Sequence, residues 1–132
     1  MENIFRKKQI EFLLCLKTYN NSNLNQISKR IDLTYSHSRK LLEMYCDYGM
    51  MAYVKRGRDL YIKLTEKGDK FTLDIIECLK TLEFKFIEET FKDAWGFENS
   101  RLTLMYDPGN EYDWFTLTHD GHQVKDVKTE DE

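Results

Sequence analysis

The chain is poor in the residues that punctuate or staple a fold. It has one proline, Pro108, so a Pro-rich linker is excluded. It has three cysteines, Cys15, Cys46 and Cys78, spaced 31 and 32 residues apart and never as a CxxC pair. An odd count without such pairs gives little support to a disulfide framework or a zinc site, and the thiols read as small buried hydrophobes. No apolar run reaches the roughly 18 residues that a membrane span needs. No apolar stretch near Met1 resembles a signal peptide, so a cytoplasmic setting is expected. Nothing repeats at a fixed period. There is no P-loop, dinucleotide fingerprint or nucleophile elbow, so neither an enzyme nor a cofactor is expected.

What is present suits a folded chain: 41% hydrophobic and 14% aromatic residues over 132 positions, about one domain. The net charge of −3 conceals an asymmetry. Residues 1–63 carry twelve Lys/Arg against six Asp/Glu, whereas residues 64–132 carry eight against seventeen. A polyanionic partner is expected for the first half and not for the second.

Residues 4–19 read as a helix, with Ile4, Phe5, Phe12, Leu13, Leu16 and Tyr19 on an apolar stripe. The cluster Asn20-Asn21-Ser22-Asn23 ends it, because these side chains compete for helical hydrogen bonds. Leu24, Ile27 and Ile31 mark a short second helix with Asn23 as its cap. After the turn Asp32-Leu33, Thr34 caps a third helix from Tyr35 to about Asp47, with Leu41, Leu42 and Tyr45 facing inward. Residues 50–55 and 60–64 read as the strands of a hairpin around the polar turn Arg56-Gly57-Arg58-Asp59. A long helix then starts near Thr65. Phe71, Ile75, Leu79, Leu82 and Phe86 follow at spacings of 4, 4, 3 and 4, close to a heptad seam, and suggest dimerisation.

Past Gly96 the pattern weakens. Residues 101–106 and 114–118 look like strands of a second hairpin around Asp107-Pro108-Gly109-Asn110, and 125–132 look like an acidic disordered tail. The expected division is therefore 1–68, a basic helix-and-hairpin unit suited to a polyanion; 69–96, a dimerisation helix; 97–124, a hairpin extension; and 125–132, the tail.

The order of helix, short helix, turn, capped helix, hairpin and long helix is that of a winged helix-turn-helix, an α+β fold that is mainly helical. Leu24 to Leu42 resembles the helix-turn-helix of bacterial and archaeal regulators. Tyr48-Gly49-Met50-Met51 is similar to their entry into the wing. Lys63-Leu64-Thr65-Glu66-Lys67-Gly68 resembles the segment that ends the wing in MarR-like members. The resemblance spans about residues 4–90. It implies that the third helix enters the major groove of duplex DNA and that the wing grips the backbone or minor groove.

The residues themselves suit those tasks. Tyr35, Ser36, His37, Ser38, Arg39 and Lys40 put donors and acceptors at the start of the third helix. Arg39 has the fork to read a guanine, and Lys40 suits a phosphate. Lys55, Arg56 and Arg58 place three cations around the wing turn, more than a bare turn needs. Lys29 and Arg30 would meet phosphates beside the second helix. The expected partners are double-stranded DNA and a second copy of the chain. Residues 97–124 are left for a protein or an effector, and no ligand pocket is recognisable. An alternative is a winged-helix protein–protein module with its charges merely solvated. A metal site at His119-Asp120-Gly121-His122 is a weaker reading than a polar turn, because the pair lacks a third fixed ligand.

Overall fold

Eight consecutive residues of the first helix, α1 (Lys7–Thr18), are buried, from Gln9 to Leu16. A helix covered on all sides is a central one. The computed structural model describes residues 6–109, 114–119 and 122–127. The expected start of α1 at Ile4 and Phe5 lies outside them. The chain divides into two compact units, Met1–Ile75 and Ile76–Glu132.

In the first unit α1 is followed by the two-residue strand β1 (Ser22–Asn23), then α2 (Leu24–Arg30), α3 (Tyr35–Asp47), β2 (Met51–Arg56) and β3 (Asp59–Leu64). The three strands form one antiparallel sheet in the order β1-β3-β2. β1 is a finding beyond the sequence, in which Ser22 and Asn23 read as a helix stop and Asn23 as the cap of α2. Ser22 lies opposite Ile62 and Asn23 opposite Tyr61, so the stop doubles as an edge strand. The core gathers Phe12, Leu13, Leu16, Leu24, Ile27, Ile31, Leu41, Leu42, Tyr45, Leu60 and Ile62. The Tyr45 hydroxyl, driven up in pKa by burial, donates to Gln9 O at 2.7 Å and ties α3 to α1.

The junction into α4 (Glu66–Thr81) shows why Thr65-Glu66-Lys67-Gly68 is built as it is. Thr65 N donates to Met50 O at 2.9 Å, and the Thr65 hydroxyl donates to Gly49 O at 2.6 Å. The same hydroxyl accepts from Gly68 N at 3.1 Å and so caps the helix. Lys67 Nζ donates to Tyr48 O at 2.6 Å. Gly68 packs so close that a Cβ there would lie 1.9 Å from Met50 O. The motif clamps the foot of the wing against the end of α3.

The helix expected to continue into the nineties stops at Thr81. Glu83 takes φ +65°, a left-handed conformation that ends helices, and Glu83 N donates to Lys80 O. The chain then runs as β4 (Phe84–Lys92), β5 (Glu98–Tyr106), β6 (Phe115–His119) and β7 (His122–Val127). They form a four-stranded sheet ordered β5-β4-β6-β7, with β4 and β6 parallel and the other pairs antiparallel.

Three expectations are corrected here. First, Phe71, Ile75, Leu79, Leu82 and Phe86 do not share a helical seam. Phe86 is a strand residue, fully buried beside Trp114 and Phe115 at ring separations of 6.4 and 5.8 Å. Ile75 and Leu79 are already buried in a single chain, Phe71 is half-buried, and Leu82 alone of the five stays well exposed. Second, the strands near 101–106 and 114–118 exist but do not pair with each other, because β4 lies between them. Third, residues 125–127 of the expected tail pair with β6 through Lys125, Asp126 and Val127. Residues 128–132 lie outside the described ones, as do Asp120 and Gly121 between the two histidines. His119 and His122 face each other in register at the β6–β7 turn. Among the described residues no group of three or more His, Cys, Asp or Glu is placed to hold a metal. No described helix is long and apolar enough to cross a membrane.

Candidate nucleic-acid interface

The start of α3 is presented by the turn before it. Ile31 closes α2, and Asp32 takes φ +55°, which an aspartate tolerates better than a branched residue. Leu33 N returns to Ser28 O at 2.9 Å. Thr34 then caps α3, its hydroxyl accepting from His37 N at 3.2 Å. The cap leaves Tyr35, Ser36, His37 and Lys40 exposed. The helix is electrically polar: Arg39 and Lys40 sit in its first half, Glu43 and Asp47 in its second. The cations add to the positive end of the helix dipole, where phosphates are favoured.

Ser38 departs from the expectation. It is fully buried, and its hydroxyl lies 2.8 Å from that of Ser28. The helical period explains this, since position 38 falls on the inward face with Leu41, Leu42 and Tyr45. Ser38 joins α3 to α2 and is withdrawn from any ligand. Arg39 is half-exposed, and its Nε meets Glu43 Oε1 at 3.4 Å without hydrogen-bond alignment. That contact orients the guanidinium loosely and leaves it able to exchange partners.

The wing turn is tighter than the sequence suggested. Arg56 pairs directly with Asp59, so only Gly57 and Arg58 make the loop. Gly57 has φ +62°, as the first position of a type II′ turn requires. Lys55, Arg56 and Arg58 are all exposed. Lys29 on α2 is exposed too, whereas Arg30 is half-buried with its guanidinium 3.9 Å from the centre of the Tyr19 ring. Arg30 therefore packs as a cation on an aromatic face. That seat makes Arg30 less available to a phosphate than the exposed Lys29.

Sequence reasoning passed over Tyr61, Lys63 and Asn21, which line an open groove with Arg56 on the solvent side of the wing sheet. The signal was there in β3: Leu60, Ile62 and Leu64 alternate with Tyr61 and Lys63, and the second set had to face outward.

No family model and no curated protein sequence matches the chain. Solved structures do. AF1382 from Archaeoglobus fulgidus superposes with a TM-score of 0.57 at 21% identity, over 61% of this chain and 92% of that one. MepR, a transcription regulator of the multidrug efflux pump MepA in Staphylococcus aureus, gives 0.54 at 20% identity, over 58% of each chain. The fold is a winged helix-turn-helix, the one these structures share. The transcriptional regulator PcaV from Streptomyces coelicolor, solved with its natural ligand, gives 0.51 at 17% identity over 55% of this chain and 53% of that one. The chain thus spans little more than half the length of MepR and PcaV. In winged-helix terms α2 and α3 are the helix-turn-helix and β2–β3 is the wing.

Proposed function

We propose that this winged-helix chain is a sequence-specific transcription regulator that binds duplex DNA as a homodimer. Its third helix lies in the major groove, and its wing lies on the backbone or in the minor groove. One observation carries the reading: a single compact unit exposes both the polar first turns of a capped helix and a two-residue wing turn flanked by cations. Tyr35, Ser36, His37 and Arg39 are the base readers in this proposal. Lys29, Lys40, Lys55, Arg56 and Arg58 serve phosphates. MepR and PcaV, regulators of the same fold, support the assignment. An effector, as PcaV has, belongs to the same reading.

Magnitude favours two copies. The five exposed cations assigned to phosphates, Lys29, Lys40, Lys55, Arg56 and Arg58, would neutralise too few phosphates in one protomer for tight binding at physiological salt. Two protomers would reach about 6–10, with log K falling by about 0.9 per phosphate against log salt. The predicted helical seam does not supply the contact between copies, since Ile75, Leu79 and Phe86 are used inside the chain.

The test is a fluorescence-anisotropy titration of random-sequence duplex DNA at two salt concentrations, with the mass of the protein measured by light scattering. Micromolar binding that collapses with salt, by a dimer, is the expected result. No binding at low salt would sink the DNA reading and leave a protein–protein module of the same fold.

A further inference from the structure

The solvent face of the wing sheet holds a groove of which the duplex reading uses only Arg56. Strand alternation sends Met51, Leu60 and Ile62 to the core and turns Ala52, Val54, Arg56, Tyr61 and Lys63 the other way. β1 brings Asn21 to the same side. The groove has a volume of about 460 Å³, within the range of organic ligand sites. Its floor is apolar and aromatic. Val54 lies directly opposite Tyr61 and is 52% exposed, a large apolar side chain left open on the edge strand β2. Arg56 stands at one end and Lys63 at the other, and no carboxylate lines the space between them. Asp59, across the turn from Arg56, is on this face but outside the lining.

The spacing of the two cations selects the ligand. Arg56 is level with Asp59, and Lys63 comes four residues further along β3. At about 3.3 Å per residue their backbone positions lie about 13 Å apart along the strand. Phosphates two nucleotides apart on an extended strand suit that spacing better than a single phosphate does. A base needs a flat apolar face to stack on, and Tyr61 offers one, with the Arg56 guanidinium already 5.4 Å from its ring centre. Paired bases within a duplex are not free to lie there.

We propose that this groove binds a short stretch of unpaired nucleic acid, with a base on Tyr61 and Val54 and flanking phosphates at Arg56 and Lys63. The site stands apart from the duplex interface and shares only Arg56 with it.

The test uses the full chain and a fluorescein-labelled oligothymidylate of about twelve nucleotides, within the usual site sizes. Anisotropy is read over a salt series, with a random duplex titrated in parallel. The parent protein should bind the oligomer. Tyr61→Ala should weaken that binding roughly tenfold, the scale of one lost base–aromatic stack, and Tyr61→Phe should retain it. Lys63→Ala, at an exposed position, should flatten the salt slope by about 0.7, the loss of one single-strand phosphate contact. Duplex affinity should hold in the Tyr61 variants, which separates this site from the duplex interface. Failure of the oligomer to bind at low salt would overturn the proposal, as would parental affinity in both Tyr61→Ala and Lys63→Ala. Displacement of the oligomer by equal concentrations of thymidine monophosphate would also overturn it, and would assign the groove to a free nucleotide.

Discussion

The hydroxyls of Ser28 and Ser38 meet at 2.8 Å inside the helix-turn-helix, and both residues are buried. Ser28 also lies 2.8 Å from Leu24 O. The geometry is satisfied when Ser28 donates to that carbonyl and Ser38 donates to Ser28. This pair fixes α3 against α2, so it sets the direction in which Tyr35, Ser36 and His37 point. Ser38→Ala should therefore act on stability and not on contact. A loss of about 1–2 kcal/mol is expected in urea unfolding, with DNA affinity unchanged where the protein remains folded. A variant of full stability with weakened DNA binding would show that Ser38 touches the ligand after all.

Gly68 is the second structural lever. A methyl group there would sit 1.9 Å from the Met50 carbonyl oxygen, so the backbone of the wing or of α4 must move. Gly68→Ala should cost about 3 kcal/mol, at the upper end of the usual overpacking range. Thermal melting reads this directly. An unchanged midpoint would mean that the junction around Thr65 gives way without loss.

Arg39 and the wing arginines should fail in different ways. Arg39→Ala should relax specificity at one base pair and cost about 1–3 kcal/mol against the preferred sequence. Arg56→Ala with Arg58→Ala should weaken binding to all duplexes alike and flatten the salt slope by about 0.9 per lost phosphate contact. Competition assays with selected and random duplexes distinguish the two. If Arg39→Ala weakened every sequence equally, its role as a base reader would be lost.

The tip of the β4–β5 hairpin should be acid-sensitive. Asp93 Oδ1 accepts from Phe97 N at 3.0 Å and Trp95 N at 2.9 Å, and its Oδ2 accepts from Asn99 Nδ2 at 3.1 Å. The Phe97 N–H and these other donors hold the Asp93 carboxyl below its ordinary pKa, against the opposing effect of desolvation. A depressed folded-state pKa means the stabilisation is complete above the ordinary carboxylate pKa. It is lost as pH falls through the lowered value. The protection factors of the Trp95 and Phe97 amides, measured by NMR hydrogen exchange against the intrinsic rate at each pH, should fall at acid pH and at neutral pH in Asp93→Ala. Equal protection in the variant would show that the turn holds without its carboxylate. The consequence is visible on the surface, because Trp95 is 85% exposed at this tip.

How much of this was legible differs between the two halves. In the first, every element except β1 announced itself locally. Thr34 caps α3 and the 3.6-residue period carries it to Asp47, as the structure finds. Gly57 marks the wing turn, with strand ends within one residue of expectation. The same period that marked Leu41, Leu42 and Tyr45 as core also held the correction for Ser38, which lies on their face. In the second half, local signals misled. Phe84, Phe86, Ile87 and Phe91 fit a helical stripe as well as a strand, and no glycine or proline stands at the break.

The sequence by itself determined the helix-turn-helix, the wing and the basic character of residues 1–63, because caps, turn glycines and apolar periods act between neighbours in the chain. Only the tertiary structure decided the rest. It ended α4 at Thr81 and made 84–92 the strand that pairs with both 98–106 and 115–119. It also set Arg30 on Tyr19 and gathered Asn21, Arg56, Tyr61 and Lys63 around one groove. Strand pairing and side-chain packing draw on partners far away in sequence, and a local pattern that fits two conformations is settled by whichever partners are there to bury it.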